Sequence, residues 1–476
     1  MPEELQRNPD SASTPKEWFP WWKPEWEMWW MQWWDTNITH NAVVTFTQDT
    51  YLDNQTYSSS WDNEHAILIT WWTVDIANST IIKSWDAEWD TADFYWTNAW
   101  IIATDWILHL GNVTVNTNWK HANAVFAYWN WEIEVADSTI HTENDNSWWI
   151  MVTWWWLLST SNVNITTEWN SSAAIRSDRW GWDIYVDRGT YTTNWIWSPA
   201  IYSTANIIVS HAELISNKSE WVVVEWKNSV TLSTSTLTDN NTTLNGQSTT
   251  YKNIFLYQSM SWDADEWTTS FKADWCKIIT KNWDTIYVTN TVAEIVLQDN
   301  EIINENWDFM RIEAAARGKE WYNWWDVTLN LIHQQITWNI IVDNISSLEM
   351  NLTQWSNYVW VINSENQSQD ITITLDNNSI WTLNWDSHIS KLETESTTNI
   401  DLNWYTLYIW ENAITSNDQL AQNNETTTDI STEIVNNTQS QHSPSNLFLV
   451  FWIIIVIIVI LGIICFKKFQ KKQINQ

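Results

Sequence analysis

The chain has 476 residues with 22 Lys plus Arg against 57 Asp plus Glu, a formal charge of −35. That balance argues against nucleic acid or anionic lipid as a partner of its body, because both demand basic patches. Trp occurs 47 times and Gly 6 times, the reverse of ordinary usage, in which Gly is roughly 7% and Trp is rare.

Residues 1–35 are polar, Pro-containing and dense in Trp. Pro20 and Pro24 break any continuous helix there, so the segment reads as flexible. A basic and then apolar leader is missing after Met1, whereas the far end of the chain calls for export; the expectation is a true start upstream of Met1.

From about residue 36 to 410 a short strand-like phrase returns. It reads His65-Ala-Ile-Leu-Ile-Thr, Ala99-Trp-Ile-Ile-Ala-Thr, Asn123-Ala-Val-Phe-Ala-Tyr, Trp148-Trp-Ile-Met-Val-Thr, Ala173-Ala-Ile-Arg-Ser-Asp and Pro199-Ala-Ile-Tyr-Ser-Thr. Looser copies follow at Trp221, Asn253, Thr285, Phe309 and Asn339. In the best-matched stretch, from Asn123 to Pro199, the copies start about 25 residues apart, a period that marks a solenoid. A second alternating run, such as Glu132-Ile-Glu-Val or Asp183-Ile-Tyr-Val, and a third, such as Thr80-Ile-Ile, follow many copies. Two or three short strands per period predict an all-β fold, a right-handed parallel β-helix.

The tryptophans sit badly in such a fold. Asn118-Trp119, Asn130-Trp131, Asn194-Trp195, Asn282-Trp283, Asn384-Trp385 and Asn403-Trp404 fall where turn chemistry wants Asn-Gly, because a positive φ is costly once a Cβ is present. Most Trp letters therefore read as glycine, misassigned from a codon that some bacterial lineages reassign from stop to glycine. The competing reading is a genuinely Trp-rich surface protein.

Residues 411–446 are rich in Asn, Thr, Ser and Gln without periodicity and predict a disordered stalk. Residues 447–466 are uninterruptedly apolar, about the 20 residues that cross a hydrocarbon core. Lys467, Lys468, Lys471 and Lys472 follow in the tail 467–476, so the positive-inside bias predicts a single-pass cell-membrane protein with its body extracellular. A tail-anchored protein with a cytosolic body is the rival. Cys276 and Cys465 stand on opposite sides of that arrangement, which rules against a disulfide between them.

Candidate site residues follow from strand alternation. Position three of the phrase is uniformly β-branched (Ile67, Ile101, Val125, Ile150, Ile175, Ile201), with Val223 and Phe255 added from the looser copies, and is placed inside. Position four (Leu68, Ile102, Phe126, Met151, Arg176, Tyr202, Val224, Leu256) then faces out as an exposed stripe, with Tyr128 and Asp178 beside it. Glu225 at position five argues against this frame. Phe126, Tyr128, Met151, Arg176, Asp178 and Tyr202 are the candidate carbohydrate-binding set, since sugar rings stack on aromatic faces; a covering segment would explain the stripe equally.

Two acidic stretches, Asp86, Glu88, Asp90 and Asp93, and Asp263, Asp265 and Glu266, could converge on Ca²⁺, which takes about six to eight oxygens. Neither has the EF-hand pattern, and solvated acidic turns are the plainer explanation. Arg176, Arg179, Asp178 and Asp183, with Asp187 and Arg188 further on, form the one arginine-rich constellation. Arg176 or Arg179 as the base of a calcium-dependent lyase is the enzymatic alternative, against which surface ion pairs suffice.

With Trp read as Gly, Ala174-Ile-Arg-Ser-Asp-Arg-Trp-Gly-Trp-Asp-Ile, Ser198-Pro-Ala-Ile-Tyr-Ser-Thr, Val223-Val-Glu-Trp-Lys-Asn-Ser-Val-Thr-Leu and Leu256-Tyr-Gln-Ser-Met-Ser-Trp-Asp-Ala-Asp-Glu-Trp resemble motifs of bacterial cell-surface right-handed β-helix proteins, pectate-lyase-like in fold. The resemblance covers about residues 65–410. It implies carbohydrate binding with calcium and supplies no lyase catalytic set. The expected function is a membrane-anchored, adhesin-like module for a polysaccharide or cell-surface glycan; a polysaccharide lyase and a passive structural surface protein are the alternatives.

Overall fold

The computed structural model describes residues 40–416 apart from 62–63, 71, 85–100, 104–106, 119–124, 128–131, 145–149, 153–156, 178–182, 226, 243, 245–251, 259–267, 283, 315–325, 369 and 395. The described strands run from Asn41–Phe46 to Asn412–Ile414 and lie within one compact unit, Met1–Leu420. A second unit, Ala421–Gln476, contains no described residue. Strand Asn412–Ile414 thus falls where the stalk was expected to begin. Among the described residues no helix is long and apolar enough to cross a membrane, and the run 447–466 lies outside them.

The architecture is a parallel β-solenoid. Three sheets of 12, 14 and 10 strands run along it, and over most of the chain each strand pairs with the one three places later in sequence. A four-stranded sheet and a short three-stranded one complete the C-terminal coils. The first sheet carries the repeated phrase, as in Ile175–Ser177 and Ile201–Ser203; the second carries longer strands such as Asp183–Asp187; the third carries strands such as Thr139–Thr142. Pairing is in register across the coils: Val125 faces Ile101 and Ile150, and Ile133 faces Leu108 and Leu158.

Each strand alternates, and its inward residues stack on their counterparts. In the first sheet Ile67, Ile101, Ile175, Ile201, Val222, Ile254 and Ile286 are fully buried. Burial of each such side chain is worth about 1.5–3 kcal/mol, and the sum must outweigh the ordering entropy of every coil. Because one coil cannot cover its own interior, this gain exists only when neighbours stack.

The turn that leaves the second sheet, toward the third or, after His333 and Gln354, toward the four-stranded sheet, begins with a residue in the left-handed region. Asn54, Asn78, Asn112, Asp137, Asn162, Arg188, His211, Thr234, Trp275, Asp299, His333 and Gln354 occupy it with φ between 48° and 61°. Asn tolerates this conformation better than most residues, and its amide adds a ladder: Asn78 Nδ2 donates to Asp53 Oδ1, Asn112 Nδ2 to Asn78 Oδ1 and Asn162 Nδ2 to Asp137 Oδ1, each at 2.7 Å. In most of these turns a residue just after it faces inward, and its side chain accepts from the backbone of the preceding coil. The Val113, Ala212 and Gln334 N–H groups donate to Ser138, Ser235 and Ser356 Oγ at 3.0, 3.1 and 3.1 Å. Gly189 takes this place in one coil with φ +102°, and a Cβ there would lie 2.0 Å from the Val163 carbonyl oxygen.

Two expectations need correction. From Trp221 onward the sequence frame is one residue off: Val223 and Phe255, placed inside, pair with Tyr202 and with each other in the outward column, while Val224 and Leu256 are fully buried. A slip of one in a period-two strand exchanges its faces, and three successive valines give no signal against it. Glu225, the residue that conflicted with the frame, points outward as its charge requires. The outward column is also not an open stripe throughout, since Leu68, Ile102, Val223 and Tyr287 are all buried.

Candidate functional site

One column on the outer face of the first sheet collects the residues with chemistry. Its register runs Leu68, Ile102, Phe126, Met151, Arg176, Tyr202, Val223, Phe255, Tyr287, Arg311 and Ile341. The character changes along it, from wholly apolar in the early coils to a mixture of charged, aromatic and aliphatic residues from Arg176 on.

Arg176 leaves its strand beside Tyr202, with the guanidinium 4.9 Å from the ring centroid, a cation–π contact. The Tyr202 hydroxyl donates to Glu225 Oε2 and lies 3.3 Å from the Tyr257 hydroxyl. Tyr257 stacks on Phe255 at 4.5 Å and 7°, and Phe255 meets the edge of Tyr287 at 5.7 Å. Lys252 Nζ sits 4.8 and 4.6 Å from the Phe255 and Tyr287 centroids. The Tyr287 hydroxyl donates to Glu313 Oε1 at 2.8 Å. Burial, then the neighbouring carboxylate, raises both the Tyr202 and Tyr287 phenols above their ordinary range, so both remain neutral donors.

The far end of this column is closed by an ion cluster. Arg311 Nε donates to Asp284 Oδ2 at 2.9 Å and Nη2 to Asp308 Oδ2 at 3.1 Å, with Glu313 Oε2 at 3.7 Å from Nη1. Asp284 is fully buried and its carboxyl is pushed up to about 7 by burial, against the downward pull of Arg311. Its Oδ1 has no hydrogen-bond partner. The three carboxylates gather on Arg311, which leaves that cluster as an internal salt bridge and not a cation cage.

Of the expected carbohydrate-binding set, Arg176 and Tyr202 are brought together. Phe126 and Met151 have their backbone in the same column, with side chains outside the described residues, and Tyr128 and Asp178 lie outside them altogether. So do Arg179 and both acidic stretches, Asp86, Glu88, Asp90 and Asp93 and Asp263, Asp265 and Glu266. Among the described residues no group of three or more His, Cys, Asp or Glu is placed to hold a metal. Of the arginine constellation, Arg176 lies on the first sheet and Asp183 and Asp187 on the second, where Asp187 pairs with Arg188 at 3.0 Å and with His211 at 2.9 Å. Glu225, Tyr257, Tyr287, Arg311 and Glu313 were missed. The available signal was Glu225 itself, because taking it as outward shifts the frame and aligns Phe255, Tyr287 and Arg311.

A second concavity of about 650 Å³ lies where the third sheet leads back to the first, lined in part by His141, Glu168, Trp169, Trp195 and Lys218. Its walls are two indoles stacked at 4.9 Å, with Lys218 Nζ 3.8 Å above one. Beneath them runs an amide relay. Lys281 Nζ donates to Asn240 Oδ1, Asn240 to Asn217 at 2.8 Å, Asn217 to Asn194 at 2.5 Å and Asn194 to Glu168 at 2.9 Å. A cation at one end and a carboxylate at the other orient every amide between them, so this edge is explained by its own hydrogen bonds.

No family model, curated protein or solved structure matches the chain. The class defined by its own coordinates is the parallel β-solenoid.

Proposed function

We propose that this is a membrane-anchored extracellular β-solenoid, right-handed and pectate-lyase-like in form, that binds polysaccharide or a cell-surface glycan through the outer face of its first sheet. The observation that carries the reading is the part-exposed set Arg176, Tyr202 and Phe255 in one outward column, with Val223 between the aromatics, buried Tyr287 beyond them, and Glu225 and Glu313 on the tyrosine hydroxyls. Aromatic faces stack on sugar rings, and fixed donors and carboxylates select among hydroxyls. Successive strands stand about 4.8 Å apart, so a face built this way presents repeated contacts to a polymer. The apolar run 447–466 supplies the anchor, and the acidic stretches at 86–93 and 263–266 supply candidate calcium ligands.

The test is a glycan array probed with the intact protein, with and without chelator, beside Tyr202→Ala and Arg176→Ala. Binding without turnover that both substitutions weaken supports the proposal. Release of unsaturated oligosaccharide supports a lyase, and no interaction with any glycan supports a passive surface protein.

We also propose that most Trp letters stand for glycine. Trp197, Trp275, Trp355, Trp404 and Trp410 have φ between 53° and 73°, a region in which bulky residues are outliers. Trp221 stands in a buried column with Ala174 and Ala200, and its indole N–H has no partner, an arrangement that costs about 1–3 kcal/mol. Trp381 is the contrasting case. It follows Tyr358 in an inward column and donates from Nε1 to the Trp360 carbonyl at 3.1 Å, so it reads as true tryptophan. Peptide mass spectrometry decides position by position: glycine at 275 and 404 with tryptophan at 381 is expected, and tryptophan at all three ends the proposal.

A further inference from the structure

The last inward residue of each third-sheet strand is polar, in a position where the rest of the interior is apolar. Successive coils place Ser59, Lys83, Thr117, Thr142 and Thr167 there, in register and almost wholly buried. The column then continues through Thr193 and Ser216, after which buried Asp239 takes the same place. At both ends of the hydroxyl-bearing part, protein groups satisfy it. Ser216 Oγ donates to the Ser219 carbonyl at 2.7 Å, and Thr193 Oγ1 donates to Ser216 Oγ at 3.4 Å. In the early coils the Lys83 ammonium donates to Ser59 Oγ at 3.0 Å, the Trp61 carbonyl at 2.7 Å and the Glu64 carbonyl at 2.8 Å. Between these ends, the Oγ1 atoms of Thr117, Thr142 and Thr167 are buried and bonded to no protein group.

Three orphaned hydroxyls in successive coils are too many to leave unexplained, because each costs about 1–3 kcal/mol if dry. Nor do they bond to one another, as Thr193 does to Ser216, and hydroxyls that keep the spacing of their strands stand about 4.8 Å apart. That separation suits one intervening oxygen: a water about 2.8 Å from each of two hydroxyls subtends an angle near 120°, close to its own bond angle. Lys83 shows the same geometry made covalently, with a donor nitrogen held inside the column between the hydroxyl of one coil and the carbonyls of the turn.

We propose that the solenoid interior holds a file of ordered waters bridging Thr117 to Thr142 and Thr142 to Thr167, one per step between coils. The waters supply the partners that Lys83 and Ser216 supply elsewhere, and they make this stretch of the core wet on one side and apolar on the others. The hydroxyls keep the column in register, since a slip of one residue would bring His141 or Glu143 into line with them.

The experiment pairs a high-resolution crystal structure with thermal unfolding of the full-length protein. Solvent density within hydrogen-bond reach of two successive Oγ1 atoms is expected; threonines turned onto main-chain carbonyls, or no density between them, overturns the proposal. Thr142→Val strips one partner from each of two waters, and its midpoint should fall by about 1–2 °C, scaled from the usual per-residue unfolding entropy, while Thr142→Ser stays near the parent. If the hydroxyls are dry, Thr142→Val removes an orphan and its midpoint rises, which also overturns the proposal.

Discussion

The turn between the second and third sheets and the outer face of the first sheet are built on the same coils, yet they behave oppositely. The turn repeats one solution, a left-handed residue followed by an inward one that caps the backbone of the preceding coil, in most of the coils. The outer face changes its chemistry along its length, from buried Leu68 and Ile102 to Arg176, Tyr202, Tyr287 and Arg311. Uniformity marks the part that holds the stack together, and variation marks the part free to acquire a task.

The comparison is broken most severely at Gly189. Gly189→Ala should lower stability by about 4 kcal/mol in urea unfolding, because its Cβ meets backbone and not a movable side chain; a loss below about 1 kcal/mol would show that the turn yields.

On the outer face, Arg311→Met leaves Asp284 buried without its cation. Loss of about 3 kcal/mol is expected, at the low end for a broken buried pair since Asp284 escapes by binding a proton. The double variant Arg311→Met with Asp284→Asn should recover most of it, and an additive loss contradicts the pairing.

Asp239 sharpens the contrast from the interior column, because burial pushes its carboxyl up to about 7 from an ordinary 3.8. The folded state then binds a proton that the unfolded state has released, so stability is greatest below about pH 4 in this respect and declines as pH rises toward 7. Between pH 5 and pH 8 the loss from this group is on the order of 2 kcal/mol. Asp239→Asn should flatten that slope, and an unchanged pH profile would assign it to another group.

The smallest effect belongs to the turn's side chains. Asn112→Val forces a β-branched residue to φ 52° and removes the bond to Asn78, for about 1–2 kcal/mol, while Asn112→Gly stays within a few tenths. Equal unfolding midpoints for the two would deny the left-handed requirement.

These differences also explain what could be read in advance. The coil period, the three strands and the inward Ile67, Ile101, Ile175 and Ile201 are legible because alternation and turn chemistry are local. The frame of Val222, Val223 and Val224 is not, since each is apolar and the choice of face depends on which neighbour it pairs with. Arg176 beside Tyr202 was readable as adjacent positions of aligned phrases. Tyr287 with Glu313, and Arg311 with Asp284, depend on register across coils of unequal length, which no fixed spacing encodes. Burial of Leu68 and Ile102 on the outward side leaves no mark at those positions.

At the C-terminal end the direction of the chain reverses. Strand Asn412–Ile414 runs back along Leu407–Ile409, the one antiparallel pairing among the described strands. The other pairings among the described strands are parallel, whereas this final strand presents an antiparallel hydrogen-bond pattern. Within that three-stranded sheet, the last described strand therefore replaces the parallel edge on which a further coil would build.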